Sequence, residues 1–279
     1  MKNKILLKKH LLNLGFNFFD NTESYITWAE LSINNSDIPK SLIKKYYSLL
    51  NKNIKINNFI LDERFYKLIE EYDLLSSITH SMKSQDILAS GYIISDYLYN
   101  NALILDVGCN SGYLTSFYST LYKDSFFIGL DVVTASINKA KVNFKSKKYP
   151  NLFFLSDIES ITKKNFNLIT DTQCLCNLNK ITLNKLLNKF KNLLCEQGKI
   201  ISISNLKNEQ EAKIFIKTLN RNGFFVEHIS DLFVKNIYGI QAYTKLIINK
   251  NNKKADINVD NYFENIKNKI SILEVSKLL

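Results

Sequence analysis

The run Leu105-Asp106-Val107-Gly108-Cys109-Asn110-Ser111-Gly112-Tyr113-Leu114 is the part of this chain whose residue types most clearly could do chemistry. Gly108 and Gly112, two of only eight glycines, stand four apart between an apolar, β-branched run and a stretch with helical spacing. Glycine at such a junction lets the backbone turn sharply and lie close to a ligand. The pattern departs from the G-x-G-x-x-G loop that cradles a pyrophosphate, because Asp106 and Ser111 replace glycines. An acid at the strand's end repels a pyrophosphate and faces a cationic or hydroxyl-rich ligand instead. Asp131 ends a second apolar run about twenty residues after the loop, where a carboxylate can accept hydrogen bonds from both hydroxyls of a ribose. Dinucleotide-binding proteins share that feature, so Asp131 alone decides nothing. A single Asp after a strand is an ordinary cap or turn residue. Asp106, Asp131 and Asp157, after three successive strand-like runs, are harder to explain in that way.

On these residues the chain resembles the class I (Rossmann-like) S-adenosylmethionine-dependent methyltransferases, whose first motif reads D-x-G-x-G or D-x-G-C-x-x-G. The resemblance covers roughly residues 100 to 249 and says nothing direct about residues 1 to 95. It implies S-adenosyl-L-methionine as cofactor and S-adenosyl-L-homocysteine as product. It implies further that Asp106, Gly108, Cys109, Asn110 and Gly112 form the cofactor loop and that Asp131 holds the ribose. Asp157 would receive the adenine amino group, with Val132 and Ile158 as apolar walls for the adenine faces. Asp171 stands where family members contact the methionine part; its carboxylate either accepts from the cofactor's ammonium group or caps a turn.

The fourth strand is where class I families differ by acceptor. Asn165 to Leu178 has no N-P-P-Y-like turn, which enzymes acting on exocyclic amines of bases or on glutamine carry. Cys174 follows Gln173 rather than proline or threonine, against covalent attack on cytosine carbon 5. Cys176 and Asn177 stand where many small-molecule members place a histidine, so the sequence assigns no catalytic residue. That gap also admits a non-catalytic cofactor-binding subunit. His80 could reach the cofactor from a cap helix, or be a surface or capping residue; His10 and His228 are weaker candidates. Asp171 has no second Asp-Asn pair downstream to help hold a divalent ion, and no metal is expected.

The 279 residues carry a net charge of +11, which raises the question of a nucleic-acid partner. Arg64 and Arg221 are the only arginines, however, and Arg is the residue of choice for bidentate phosphate and guanine contacts. A solvated lysine surface is favoured, and nucleic acid is possible but not favoured; methylation of RNA or a protein through the basic surface is the alternative function. Cys109, Cys174, Cys176 and Cys195 contain no C-x-x-C pair, which points to reduced thiols rather than a zinc site. No stretch approaches eighteen apolar residues, so no membrane span is expected. The opening Met1 to Lys9 breaks its apolar run too early for a secretory signal, so a cytoplasmic enzyme is expected, acting on a small-molecule or peptide-like acceptor by O- or N-methylation.

Elements that position these residues are legible as three parts. Residues 1–100 show helical spacing, clearest in Ser41–Leu50 and Phe65–Leu75, and read as a helical cap that recognises the acceptor. Trp28, Tyr25, Phe16, Phe18, Phe19, Tyr46 and Tyr47 could line its pocket or fill its core. Residues 101–249 alternate short apolar runs (103–107, 126–131, 152–155, 166–170, 199–203) with helical stretches (112–121, 135–144, 183–194, 209–219). Parallel neighbours need crossovers, so this is an α/β fold: a doubly wound, mostly parallel seven-stranded sheet whose last strand is antiparallel, formed by the pair 224–227 and 242–248. Gly198 and Gly223 read as helix C-caps. Residues 250–279 read as a polar linker and a C-terminal helix, with Tyr262, Phe263, Ile266, Ile270 and Leu273 on one face.

Overall fold

The near-continuous apolar runs become strands because both of their faces are covered. In β1 (Leu103–Val107), Ile104 packs into one core and Leu105 into another, and both are fully buried. The same alternation recurs at Phe127 and Ile128 in β2 (Phe126–Leu130) and at Leu168 and Ile169 in β4 (Phe166–Thr172). A computed structural model describes residues 2–55, 63–162, 165–206 and 208–250. The sheet contains these strands with β3 (Leu152–Leu155), β5 (Leu194–Ser204), β6 (Phe224–Asn236) and β7 (Gly239–Lys250), in the order β3-β2-β1-β4-β5-β7-β6. Strands β1 to β5 pair in parallel, and β7 runs antiparallel to both β5 and β6.

One face carries α1 (Lys2–Asn13), α6 (Ser84–Ser95), α7 (Tyr113–Leu121) and α8 (Thr134–Asn143); the other carries α9 (Lys180–Leu193) and α10 (Glu209–Arg221). Between α1 and α6 lie α2 (Thr22–Asn34), α3 (Lys40–Lys55), α4 (Glu63–Glu71) and α5 (Asp73–Ser81), which share a separate core around Tyr25, Ile33, Tyr46, Leu68, Ile69 and Ile78. The first hundred residues therefore play two parts. Leu7 and Leu11 of α1 pack with the sheet, whereas α2 to α5 pack around their own core, the cap core. Among the described residues no helix is long and apolar enough to cross a membrane.

Three details differ from the sequence reading. Phe65–Leu75 is not one helix: Tyr72 is extended (φ −120°, ψ 107°), and Asp73 opens α5, where an acid suits the positive helix end. Gly198 caps no helix. Pairing passes from Phe166↔Leu194 to Leu168↔Lys199, so 195–198 bulge out within β5, and Gly198 lies under Leu194 with no room for a side chain. Strands β6 and β7 run far beyond 224–227 and 242–248. Their turn carries Ile237 into the cap core, and Thr22 Oγ1 donates to its carbonyl at 2.6 Å. Of the two readings of the aromatics, the core one holds for Tyr25, Tyr46 and Phe16, while Phe19 and Trp28 pack against the cap core. The C-terminal helix reading lies outside the described residues.

Candidate functional site

The C-terminal ends of β1, β2 and β4 meet where Val107 pairs with Leu130 on one side and with Asp171 on the other. The loop from β1 to α7 is pulled over this edge, because the N–H groups of Gly108 and Cys109 both donate to Leu130 O, at 2.8 and 3.1 Å. Gly108 (φ +73°), Asn110 (φ +50°) and Gly112 (φ +78°) are all left-handed. Glycine is needed at both ends of the loop for space as well as conformation. A Cβ on Gly108 would lie 2.4 Å from Cys174 Cβ, and one on Gly112 would lie 2.4 Å from the Phe154 ring.

Asp131 anchors the middle of the loop. Its Oδ2 accepts from Asn110 N and its Oδ1 from Val133 N, each at 2.9 Å. Burial raises its pKa, and the two N–H donors oppose the rise. Each oxygen keeps a further lone pair, which is what a ribose diol requires. Val132 beside it is 66% exposed, an apolar side chain left open next to a carboxylate. Asp157 is exposed at the end of β3 and caps the single 3-10 turn Ile158–Ser160 by accepting from Glu159 N at 2.9 Å. Asp131 and Val132 follow β2, and Asp157 and Ile158 follow β3, so two acids and two apolar side chains stand at neighbouring strand ends.

Asp106 and Asp171 are both buried, and their hydrogen bonds run within the protein. The hydroxyls that Asp106 meets are the protein's own: Thr115 Oγ1 donates at 2.5 Å and Thr170 Oγ1 at 2.9 Å. Asp171 accepts from Cys174 N (2.9 Å), Leu175 N (3.0 Å) and Ser202 Oγ (2.5 Å). Of the two readings of this residue, the turn cap is formed: its carboxylate caps the turn after β4. Burial pushes both acids up to about 6. They hold the loop and the turn from behind.

Several residues at this edge had no signal in the sequence. Glu70 of α4 reaches the loop, its Oε1 accepting from Ser111 Oγ at 2.5 Å and from Ser136 Oγ at 3.3 Å, while its Oε2 is buried without a hydrogen-bond partner. Tyr66, one turn earlier, is held above its ordinary pKa by burial and by the charges of Asp131, Cys174 and Glu70. Asp86 of α6 accepts from Asn236 Nδ2 at 3.0 Å on both oxygens and is bonded to Tyr243, which also meets Gln173 at the end of β4. Burial lowers Lys83 to about 8, opposed by Asp86. Glu70 lies in the otherwise ordinary helical string Lys67-Leu68-Ile69-Glu70-Glu71, and only tertiary packing distinguishes it from Glu71. Among the described residues no group of His, Cys, Asp and Glu is arranged to hold a metal ion.

Residues 98–264 match a family described as a methyltransferase domain. A curated relative, "Putative methyltransferase 235L" of Invertebrate iridescent virus 6, is 29% identical over 104 residues, which are 36% of this chain and 37% of that protein. The match therefore spans little more than a third of that relative's length. Similar solved structures include the [4+2]-cyclase SpnF (TM-score 0.50, 13% identity, 63% of this chain and 83% of that one). Another is the mitomycin 7-O-methyltransferase MmcR (TM-score 0.50, 13% identity, 68% and 58%). At these identities the likeness is one of fold, and SpnF and MmcR show by their names that this fold serves more than one reaction. The family match covers more than half of the chain and includes the whole sheet: the chain belongs to the methyltransferase-domain family and has the class I, S-adenosylmethionine-dependent fold.

Proposed function

We propose that this chain transfers a methyl group from S-adenosylmethionine to an oxygen or nitrogen atom of a small-molecule or peptide-like metabolite. The observation that carries the cofactor part is the strand-end set: the left-handed loop Gly108–Gly112, Asp131 holding that loop, and exposed Val132 and Asp157 beside it. In this reading Asp131 takes the ribose hydroxyls, Asp157 takes the adenine amino group, and Val132 and Ile158 cover the base. The backbone of Gly108, Cys109 and Asn110 borders the methionine part. Asp106 and Asp171 act as positioning residues, one through Thr115 and Thr170, the other through the 174–175 turn.

When bound, the cofactor supplies a methyl group already activated by its sulfonium. The protein's work is then to hold an acceptor lone pair in line with the carbon–sulfur bond and to keep water out. The cap suits that task. Helix α4 closes on the loop through Glu70, and the β6–β7 turn reaches into the cap core. A site covered in this way would favour a small acceptor over a folded macromolecule. We propose residues 1–100 as the acceptor-recognition region, 101–249 as the cofactor-binding domain and 250–279 as an appended segment.

The test is a transfer assay with methyl-tritiated cofactor. The protein is offered, separately, a low-molecular-mass metabolite extract, total RNA and denatured protein. The proposal expects label in the metabolite fraction. Label confined to RNA or protein would overturn the acceptor class while leaving methyl transfer in place.

A further inference from the structure

Helix α1 carries more apolar residues than its packing uses. Leu7 and Leu11 are fully buried in the sheet core, and one such stripe is what a surface helix needs. Ile5 (67% exposed), Leu6 (40%) and Leu12 (48%) nevertheless face outward. At ~3.6 residues per turn, Ile5 and Leu12 fall on one line down the solvent side, opposite the buried stripe. Lys4 and Lys8 flank that line on one side and Lys2 and Lys9 on the other; all are exposed, and the helix contains no acid. Among the described residues the ion pairs are those of Lys139, Lys189, Lys199 and Lys213, none of them in α1. The basic surface continues sideways. His10 stacks on Phe144 at 6.4 Å, which sets the exposed Lys145, Lys147 and Lys148 beside α1, and the Lys148 charge reaches the His10 ring. Between α1 and the second half of α7 a groove of about 320 Å³ opens, walled by Leu6, Lys9, Phe117 and Leu121.

We propose that this face docks the protein on an anionic phospholipid bilayer, with α1 lying in the headgroup plane. Ile5, Leu6 and Leu12 enter the boundary between headgroups and acyl chains, and the lysines on either side reach the lipid phosphates and carboxylates. The mixture of residues selects this occupant. A nucleic acid would neutralise the lysines but leave Ile5 and Leu12 in water. A protein partner would cover the apolar line, but lysine is depleted where proteins meet. An anionic bilayer satisfies both, because each lysine near its surface adds attraction while the apolar side chains leave water. The groove adjoins the C-terminal half of α7, whereas the loop 108–112 leads into its N-terminus, so the proposed cofactor site lies away from the docking face. The proposal is independent of the methyltransferase reading.

The test is co-sedimentation of the full-length protein with vesicles of phosphatidylcholine containing about 30% phosphatidylserine, and with pure phosphatidylcholine, at about 0.1 M salt. The proposal expects sedimentation with the anionic vesicles only, and release as salt rises. Replacing Lys2 and Lys9 together, Lys2→Ala with Lys9→Ala, is expected to weaken binding about 30-fold. Ile5→Ser with Leu12→Ser is expected to weaken it by about 10-fold or more, since both side chains must leave water. Circular dichroism checks that each variant is folded. Amide exchange in α1 of the wild-type protein is expected to slow on the anionic vesicles, a readout that needs no variant. No sedimentation, or equal sedimentation with both kinds of vesicle, would overturn the proposal. So would unchanged α1 exchange in vesicle-bound protein, or a folded Ile5→Ser, Leu12→Ser variant that binds like the wild type. Binding of total RNA by a protein that ignores the vesicles would assign the lysines to nucleic acid and overturn it as well.

Discussion

Asp106 offers a prediction whose sign is fixed by its surroundings. It is buried behind the loop, and burial outweighs its two threonine donors, raising its pKa from 3.8 to about 6. The folded state therefore keeps this proton when the unfolded chain has lost it. The associated stability is fully present below the unfolded value and is lost as pH rises from about 4 to about 6, levelling off above that. A difference of about 2 pH units corresponds to ~3 kcal/mol at ~1.4 kcal/mol per unit. Asparagine is nearly isosteric, stays neutral, and can still bond Thr115 and Thr170, whose hydroxyls rotate. Asp106→Asn is thus expected to gain stability relative to the wild type by ~2–3 kcal/mol between pH 4 and pH 7.5. The charge of Asp171 contributes to the rise of Asp106. Urea unfolding followed by circular dichroism at four pH values across that range measures it. A stability difference that is flat with pH, or that moves against the variant as pH rises, would refute the assignment of Asp106 as a buried, charge-strained support.

The loop's glycines can be tested against a control in the same chain. Gly108→Ala combines a left-handed backbone with a Cβ 2.4 Å from Cys174, whereas Gly239→Ala has φ +106° and nothing within 4 Å. The first is expected to cost ~2–4 kcal/mol and the second only its backbone strain of ~1–2 kcal/mol, read from urea midpoints. Equal losses would mean that the approach to Cys174 does not matter. Glu70→Ala removes the acceptor for Ser111 and Ser136 and is expected to speed amide exchange in α4 by ~10-fold, about 1.4 kcal/mol. Unchanged exchange in α4 would show that Glu70 does not hold the cap to the loop.

The sheet was legible in the sequence wherever a run is buried on both faces. Leu103–Val107 and Phe126–Leu130 could hardly be anything else, and the glycine loop between strand and helix is encoded within ten residues. Strand β6 was cut short because it is an edge strand: His228, Ser230 and Asp231 interrupt the apolar pattern, and only pairing with β7 keeps them extended. The hydrogen bonds of Asp106 to Thr170 and of Asp171 to Ser202 were not legible, because those partners lie 64 and 31 residues away. Glu70 was invisible for a related reason: an acid in an amphipathic helix looks solvated until tertiary packing buries it against Ser111. His80 was identified as a candidate, but its packing between Phe16 and Tyr113 is visible only in the folded chain.

The central claim, that the strand-end acids and the glycine loop form an S-adenosylmethionine site, is tested most directly by calorimetry. S-adenosylmethionine, S-adenosylhomocysteine and NADH are titrated into the wild-type protein and into Asp131→Ala and Asp157→Ala, each first shown to be folded. The account predicts micromolar binding of both adenosyl compounds, none of NADH, loss of binding in Asp131→Ala and weakening in Asp157→Ala. Folded wild-type protein that binds neither adenosyl compound would contradict it.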